Sequence, residues 1–536
     1  MLRIINFNVA FDDPASLTEL TAKRLKLPPQ AVSEVVIVRK AVDARRYKNA
    51  PIYFVYTVDV KLSINENKVL ERLRKDKNIT KQPSLPAEKT AGTRQKAAAR
   101  MRPVIAGFGP AGMFAALNLA RQGYAPLVLE RGLDVDQRQA AIHTFWQSGQ
   151  LDTKTNVQFG EGGAGTFSDG KLTTRISDPH MQQILQDFVA AGAPEEILYL
   201  HKPHIGTDIL RRVVKNIRQE IIRLGGTVRF GAQVTDLCLQ DQVITGIIVN
   251  DTEEIACDTL FMGIGHSARD TYRMLHKHQA AMEAKAFAIG VRIEHPQEWI
   301  DFSQYDDDFK NPLLPRADYA LTYKDAENGR GAYSFCMCPG GVVVAASSAK
   351  NHVVTNGMSN YHRNSGIANS ALLVTAGPED FGREPLDGIA FQEKYEQLAF
   401  VQGGENYFAP VQTVGDFLQG KTGSEDFLCK PTYRPGVKAA DLRKCLPAFV
   451  TDTLAKALPH FGRKIKGFDD SRAMLTGIES RSSAPCRIRR NRESFLSENI
   501  AGLYPIGEGA GYAGGIMSAA VDGRNAAFAF MDSTDK

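Results

Sequence analysis

The chain has 536 residues, 43% of them hydrophobic, a net charge of +5 and seven cysteines. This length allows two to four domains with sizeable cores. No apolar run reaches the roughly 18 residues needed to span a bilayer, the N-terminus lacks a secretory pattern, and an odd, scattered cysteine count argues against a disulfide framework; a cytoplasmic protein with no membrane partner is expected.

The first hundred residues carry 20 Lys and Arg against 10 Asp and Glu, a net of +10, so the basic character belongs to the N-terminal segment. It reads either as a solvated surface or as a face for RNA or an acidic partner. Residues 2–10 predict a strand, 15–27 an amphipathic helix, 33–42 and 52–62 two more strands, and 66–77 a charged helix. In the last of these strands Ile52, Phe54, Tyr56, Val58 and Val60 share one face by alternation. This order is compatible with a small ferredoxin-like α+β module over 1–80. The polar stretch 81–101 reads as a linker.

The main body opens with VIAGFGPAG at 104–112. An apolar strand is followed by a turn in which Gly107, Gly109 and Gly112 hold the G-x-G-x-x-G positions, with Pro110 and Ala111 between, and then by an Ala- and Leu-rich helix. The next strand ends in Glu130, with Arg131 beside it. Gly107 suits a tight turn, Gly109 close approach of backbone to a pyrophosphate, and Gly112 helix–strand packing. The helix start offers unpaired N–H groups to phosphate, and Glu130 can accept from ribose hydroxyls. Residues 159–175 form a second glycine-rich stretch, in which Gly162, Gly163, Gly165 and Thr166 suggest a ligand loop. Ser168, Asp169 and Lys171 are its polar tips, and Lys171 is a candidate to hold reduced flavin or else a surface lysine.

Further on, 226–265 reads as a strand, a β-meander and an apolar strand ending in Gly263-Ile264-Gly265-His266. This is the layout of glutathione-reductase-like flavoproteins, with Val234 on the adenine side and Gly265 near the nucleotide. Residues 271–474 interrupt that layout with strand-like runs and more helical parts near 388–400 and 439–460. They read as an inserted β-rich α+β substrate domain. Arg292 and Glu294 share a strand face there, next to His295. Cys336-Met-Cys338 reads as two sulfurs on one side of a strand, either small buried residues or a thiol pair facing flavin. His276 and His278 make a poor zinc site, and no metal is expected. The stretch 475–536 returns to the nucleotide fold. Glu479, Arg481, Ser482 and Ser483 precede its strand, and Arg481 is a candidate anchor for an anion. LYPIGEGAGYAGG at 503–515 then supplies Gly507, Glu508, Gly514, Gly515 and Ile516 at the start of a helix suited to the flavin ring end. His266 is a candidate acid or base, or a satisfied loop histidine.

The stretches HIGTDILRRVV, FAIGVRIEHPQEWID, YSFCMCPGGVVVAASS, ESRSSAPCRIRR and YPIGEGAGYAGGI resemble the bacterial family of uncharacterised FAD-dependent dehydrogenases, from about residue 100 to the end. Ser482 stands where members often have Thr. The resemblance implies FAD and a redox role, and no substrate. The expectation is an α/β protein with a discontinuous Rossmann-like FAD-binding domain over 102–270 and 475–536. Its function would be that of an FAD-dependent oxidoreductase, exchanging hydride with a small molecule at flavin N5. No second dinucleotide motif follows, so NAD(P)H, if it is the donor, docks transiently. The alternatives are an FAD-containing protein that modifies or binds RNA, or a non-catalytic FAD-binding protein.

Overall fold

Ile52, Phe54, Val58 and Val60 are buried and Tyr56 on the same face is half-buried, while Lys61 is exposed, Tyr53, Val55 and Thr57 are half-buried, and Asp59 on the other face is buried against Arg3. The alternation therefore builds one apolar face. The computed structural model describes residues 1–45, 51–83 and 101–534, which divide into two compact units.

The first unit contains strands Leu2–Ala10, Val32–Asp43, Tyr53–Leu62 and Ile79–Lys81, with helices Leu17–Leu25 and Glu66–Arg72. The strands form an antiparallel sheet in which Tyr53–Leu62 and Leu2–Ala10 are central and Val32–Asp43 and Ile79–Lys81 are the edges. The last strand corrects the expected linker start. Ile79 pairs with Ile4 and is buried, so the chain stays in the sheet through Lys81. Residues 84–100 of that expected linker lie outside the described residues. Helix Leu17–Leu25 starts with a capping box between Ser16 and Glu19, which satisfies two orphan donors. Pro194–His204 and Asp301–Ala317 also belong to this unit. The backbone of Lys40 bonds to Tyr199 and His201 at 2.8 and 2.9 Å, which covers part of one sheet edge.

The second unit is organised around a five-stranded parallel sheet in the order Leu503–Pro505, Leu260–Met262, Val104–Ala106, Leu127–Leu129, Thr227–Arg229. Strand Leu260–Met262 pairs on one side with the strand before the first glycine turn and on the other with the strand before the last. Helices Pro110–Arg121 and Ile516–Thr534 pack so closely that a Cβ on Gly523 would lie 1.9 Å from the Ala111 carbonyl oxygen. Val234–Gln240, Val243–Val249 and Glu253–Ala256 form the antiparallel meander.

A second, seven-stranded sheet is centred on Phe287–Pro296, whose first nine residues are all buried. It includes Gly331–Cys338, Ile367–Ala376 and Met474–Glu479. The last of these corrects the expected boundary at 474, because the sheet continues to Glu479. The expected helix at 439–460 begins only at Ala448, after Pro447. Before it, Val437–Ala439 is an edge strand and Leu442–Lys444 a short turn capped by Asp441.

Candidate functional site

A cavity of about 550 Å³ opens in the second unit. It lies at the carboxyl ends of four parallel strands: Ala106 and Gly107, Leu129 and Glu130, Met262 and Gly263, and Ile506 and Gly507 all line it. Ligands of open α/β sheets bind at this end. Both glycine clusters reach it, through Gly107, Gly109, Pro110 and Ala111 on one side and Gly507, Glu508, Gly514, Gly515 and Ile516 on the other.

The glycines divide by what a side chain would meet. At Gly107 a Cβ would sit 2.3 Å from the Gly263 carbonyl oxygen, and at Gly112 2.0 Å from that of Gly107. These two serve packing. At Gly109 a Cβ would meet only the Gly163 Cα at 3.7 Å, and at Gly265, Gly514 and Gly515 nothing within 4 Å. An added Cβ at these four positions would meet open space or an ordinary contact rather than clash with protein. Helix Pro110–Arg121 begins against it with Gly109 as N-cap and Pro110 in the first turn, and helix Ile516–Thr534 begins there after Gly515. Both starts present the unpaired N–H groups that suit anionic oxygens.

Gly163, Gly165, Lys171, Val234, Gly265, His266, Arg131, Cys336 and Arg481 also line the cavity. Gly112, Gly162, Thr166 and Cys338 do not. Gly162 is pressed against Thr166, whose Oγ1 would lie 2.1 Å from an added Cβ. Thr166 is fully buried and accepts from Thr207 Oγ1 through its carbonyl at 2.8 Å.

Glu130, expected to meet a ribose, is bonded within the protein. It accepts from the backbone N–H of Phe108 at 2.8 Å and from those of Gly132 and Gly160 at 2.9 Å. Three of a carboxylate's four lone-pair directions are thereby used, and they tie the glycine turn to the 156–161 loop. Arg138, fully buried, holds the same loop by donating to the carbonyls of Asn156, Val157, Gly160 and Glu161. Burial lowers its guanidinium to about 10. No sequence signal marks Arg138, since an arginine on an amphipathic helix reads as surface. Arg131 is paired with Asp270 at 2.9 and 3.0 Å and lies over the Phe159 ring.

Arg481, which lines the cavity, is paired within the protein. Its Nε and Nη2 donate to Glu396 at 3.1 and 3.0 Å, and its Nη1 to Ser348. Arg269 donates to the same carboxylate at 2.7 and 2.8 Å, and Ser480 at 2.6 Å. Glu396, fully buried between two arginines, is held far below the usual carboxylate range; burial opposes this, and the two guanidiniums overcome it. His266 hydrogen-bonds Ser267 Oγ through Nδ1 at 2.8 Å. Burial, with Arg481 and Arg269 nearby, lowers it to about 3, so it faces the cavity as neutral imidazole.

On the wall from the seven-stranded sheet, Arg292 is fully buried and donates to Glu479 at 2.5 and 3.1 Å, to Asn369 at 2.8 Å and to Asn356 and the Cys336 carbonyl at 3.2 Å. Cys336 and Cys338 keep their sulfurs within reach of each other, as expected, but not through a regular pleat. Phe335 pairs with Ala371 and Cys338 with Asn369, so two residues oppose one and the strand bulges. His295, on the same strand as Arg292, donates from Nε2 to the Phe468 carbonyl at 2.8 Å, away from the cavity lining. His278 pairs with Asp236, and among the described residues no group of three or more His, Cys, Asp or Glu is placed to hold a metal.

Glu294 is fully buried, with Oε1 accepting from Thr432 and Oε2 without a partner. Burial raises it to about 7 against the opposing Thr432 bonds. A folded pKa above the unfolded one gives a stability contribution that is complete below about pH 4.5 and lost as pH rises through about 7. The shift corresponds to about 3 kcal/mol at high pH. Thermal unfolding of the Glu294→Gln protein is therefore expected to lose the fall in stability between about pH 4.5 and 7 that the wild type shows. An unchanged slope would show that Glu294 does not titrate there.

Residues 286–482 match the family model described as FAD-dependent protein, C-terminal domain-like, and residues 1–61 match a domain of unknown function. An uncharacterized protein of Clostridium beijerinckii is 48% identical over 537 residues, covering 100% of this chain and 99% of its own. Among solved structures, the flavin-dependent brominase Bmp2 is 12% identical over 81% of this chain and 80% of its own, with a TM-score of 0.36. The Bacillus halodurans glycerol-3-phosphate dehydrogenase complexed with FAD is 10% identical over 82% of this chain and 65% of its own, with a TM-score of 0.34. Likeness at that level carries no argument. Among the described residues no helix is long and apolar enough to cross a membrane.

Proposed function

Since the chain belongs to one family with the Clostridium beijerinckii protein and its residues 286–482 match the model described as FAD-dependent protein, C-terminal domain-like, we propose that its cavity holds FAD and that it is a flavin-dependent oxidoreductase acting on a small organic molecule. The observation that carries this reading is that Gly109, Gly265, Gly514 and Gly515 leave open space along one cavity, where two helices begin. Bound FAD supplies hydride or electron exchange at its ring. The backbone at Gly109 and Gly163 faces the diphosphate, Val234 the adenine side, and the Glu130 carboxylate keeps one acceptor direction for a ribose hydroxyl. The helix start at Gly514–Ile516 favours negative charge at the ring end. Glu508 lines the cavity, and its carboxyl is pushed up to about 7, chiefly by burial, so it holds or releases a proton near neutral pH. The neutral His266 offers a hydrogen bond without charge.

Reconstitution of the flavin-stripped full chain with FAD, FMN and NAD is the test. One FAD per chain, retained through gel filtration, with FMN and NAD washed out, is the expected result. Failure to retain FAD would overturn the proposal.

A second reading, nucleic-acid binding by the first unit, has its own support. A surface depression there is lined by Arg24, Lys26, Lys68, Arg72, Arg74 and Lys75, with Glu71 and Asp76 as the acids. Affinity for single-stranded RNA that falls steeply with salt is its expected signature, and no RNA binding at low salt would dismiss it.

A further inference from the structure

Of the seven cysteines, all free, one differs from the rest. Burial raises Cys257, Cys429 and Cys486 to about 12, and Cys238 and Cys445 also rise. Cys336 is half-buried, lines the cavity, and sits at the bulge with φ of +44°. A left-handed conformation is costly for a residue with a side chain, and such strain persists where the surroundings enforce it. Here it breaks the alternation that would otherwise turn Cys336 and Met337 to opposite faces.

The bulge gathers a charged shell around the sulfur. The Cys338 thiol, fully buried, lies 3.3 Å from the Cys336 carbonyl and within hydrogen-bonding reach of the Cys336 sulfur. Lys171 donates to the Met337 carbonyl between the two cysteines and stands 3.7 Å from Asp169. Arg292 donates to the Cys336 carbonyl at 3.2 Å. The charges of Asp169, Glu479 and Glu508 also act on Cys336. The Cys338 hydrogen bond is the largest influence, with Lys171 and Arg292 adding to it against burial, and Cys336 titrates below an ordinary thiol while Cys338 titrates above. Lys171 is in turn kept protonated: burial opposes its charge, and the two sulfurs and Asp169 outweigh it.

We propose that Cys336 and Cys338 are a dithiol–disulfide pair that exchanges two electrons with the flavin, using Cys336 as the cavity-side sulfur. In the forward direction the Cys336 thiolate and the Cys338 thiol each give up one electron and join in an S–S bond. The two electrons and the Cys338 proton pass to oxidised FAD, which becomes the singly protonated, anionic reduced form. Charge balances, with one negative charge on sulfur before and on flavin after. Lys171 and Arg292 remain beside both, and cations there favour the anion on either side of the exchange. Reversed, the same step makes the pair a store for electrons arriving from reduced flavin.

The inference rests on the cavity taking FAD, so its test has one arm that needs no flavin. In the flavin-stripped chain, diamide treatment is expected to remove two thiols and lower the mass by about 2 Da, with a disulfide-linked Cys336–Cys338 peptide. Neither change is expected in Cys338→Ser. The Cys336 thiol of Cys338→Ala is expected to be alkylated by iodoacetamide with a higher pH midpoint than in the wild type, because the donor is gone. In the FAD-loaded chain, anaerobic dithionite titration of the oxidised protein is expected to consume about four electrons per flavin in the wild type and about two in Cys338→Ser. If FAD binds in both and both consume two, or if no Cys336–Cys338 peptide forms, the proposal is overturned. If the disulfide forms but FAD is never retained, the flavin reading falls and the exchange falls with it.

Discussion

The Gly109→Ala protein is expected to fold normally and to purify without flavin. Gly109 has φ of −76°, which any residue adopts, and its added Cβ meets only the Gly163 Cα at 3.7 Å, an ordinary contact. The fold therefore has no reason to object. The methyl group would occupy the space where backbone must approach a diphosphate. Displacing the phosphates there costs two or more charge-assisted hydrogen bonds of about 1.5–3 kcal/mol each. FAD affinity should fall at least ~100-fold, read by equilibrium dialysis of the stripped protein, while apo thermal unfolding stays within about 2 °C of wild type. Gly112→Ala is the contrast. Its Cβ would sit 2.0 Å from the Gly107 carbonyl oxygen, so overpacking of about 1–3 kcal/mol should destabilise the apo fold itself. Equal FAD affinity in Gly109→Ala and wild type would remove the diphosphate from this turn.

Removal of Glu396 should produce the largest loss of stability. The carboxylate accepts from Arg269, Arg481 and Ser480 inside the protein. Glu396→Ala would leave two guanidiniums buried without their counter-charge, a loss of about 3–5 kcal/mol. Denaturant midpoints of the flavin-free protein measure it, and a loss under about 1 kcal/mol would contradict the described network. The pH dependence runs opposite to that of Glu294. The folded pKa of Glu396 lies below its unfolded value of 4.5, so its contribution is complete above that value and lost as pH falls toward the folded one. Glu396→Gln should therefore flatten the fall in stability below about pH 4.5, and Glu294→Gln the fall between about pH 4.5 and 7.

These two groups show where sequence reading reaches and where it stops. Glycine spacing announces a turn because few other residues meet its steric demands, so the strand–turn–helix at 104–121 and the final helix start were legible. The alternation at 52–60 was legible because one face needs burial. By contrast, Glu396 and Arg481 are separated by 84 residues of other chain, and nothing local in either announces a buried pair. The Cys336 bulge escaped because alternation assumes a regular pleat, and an extra residue in a strand has no signature of its own. Ile79–Lys81 was hidden by its polar neighbours, its one buried side chain being too little to form a pattern. Glu130 was expected as a nucleotide residue, but its three backbone donors arrive from Phe108, Gly132 and Gly160, and an acceptor does not name its donors in advance.

The pairing of Leu260–Met262 with both Val104–Ala106 and Leu503–Pro505 has a consequence for synthesis. As the polypeptide leaves the ribosome, the first strand and helix emerge long before the last strand that completes their layer. Until residue 505 is out, one flank of Leu260–Met262 stays unpaired, and the Ala111 side of the first helix lacks the Gly523 surface that covers it. Such distant pairing makes folding slow and leaves sticky edges exposed meanwhile. Nascent chains cut short of that strand should be prey for chaperones and proteases, with no half-finished nucleotide fold surviving to compete for flavin.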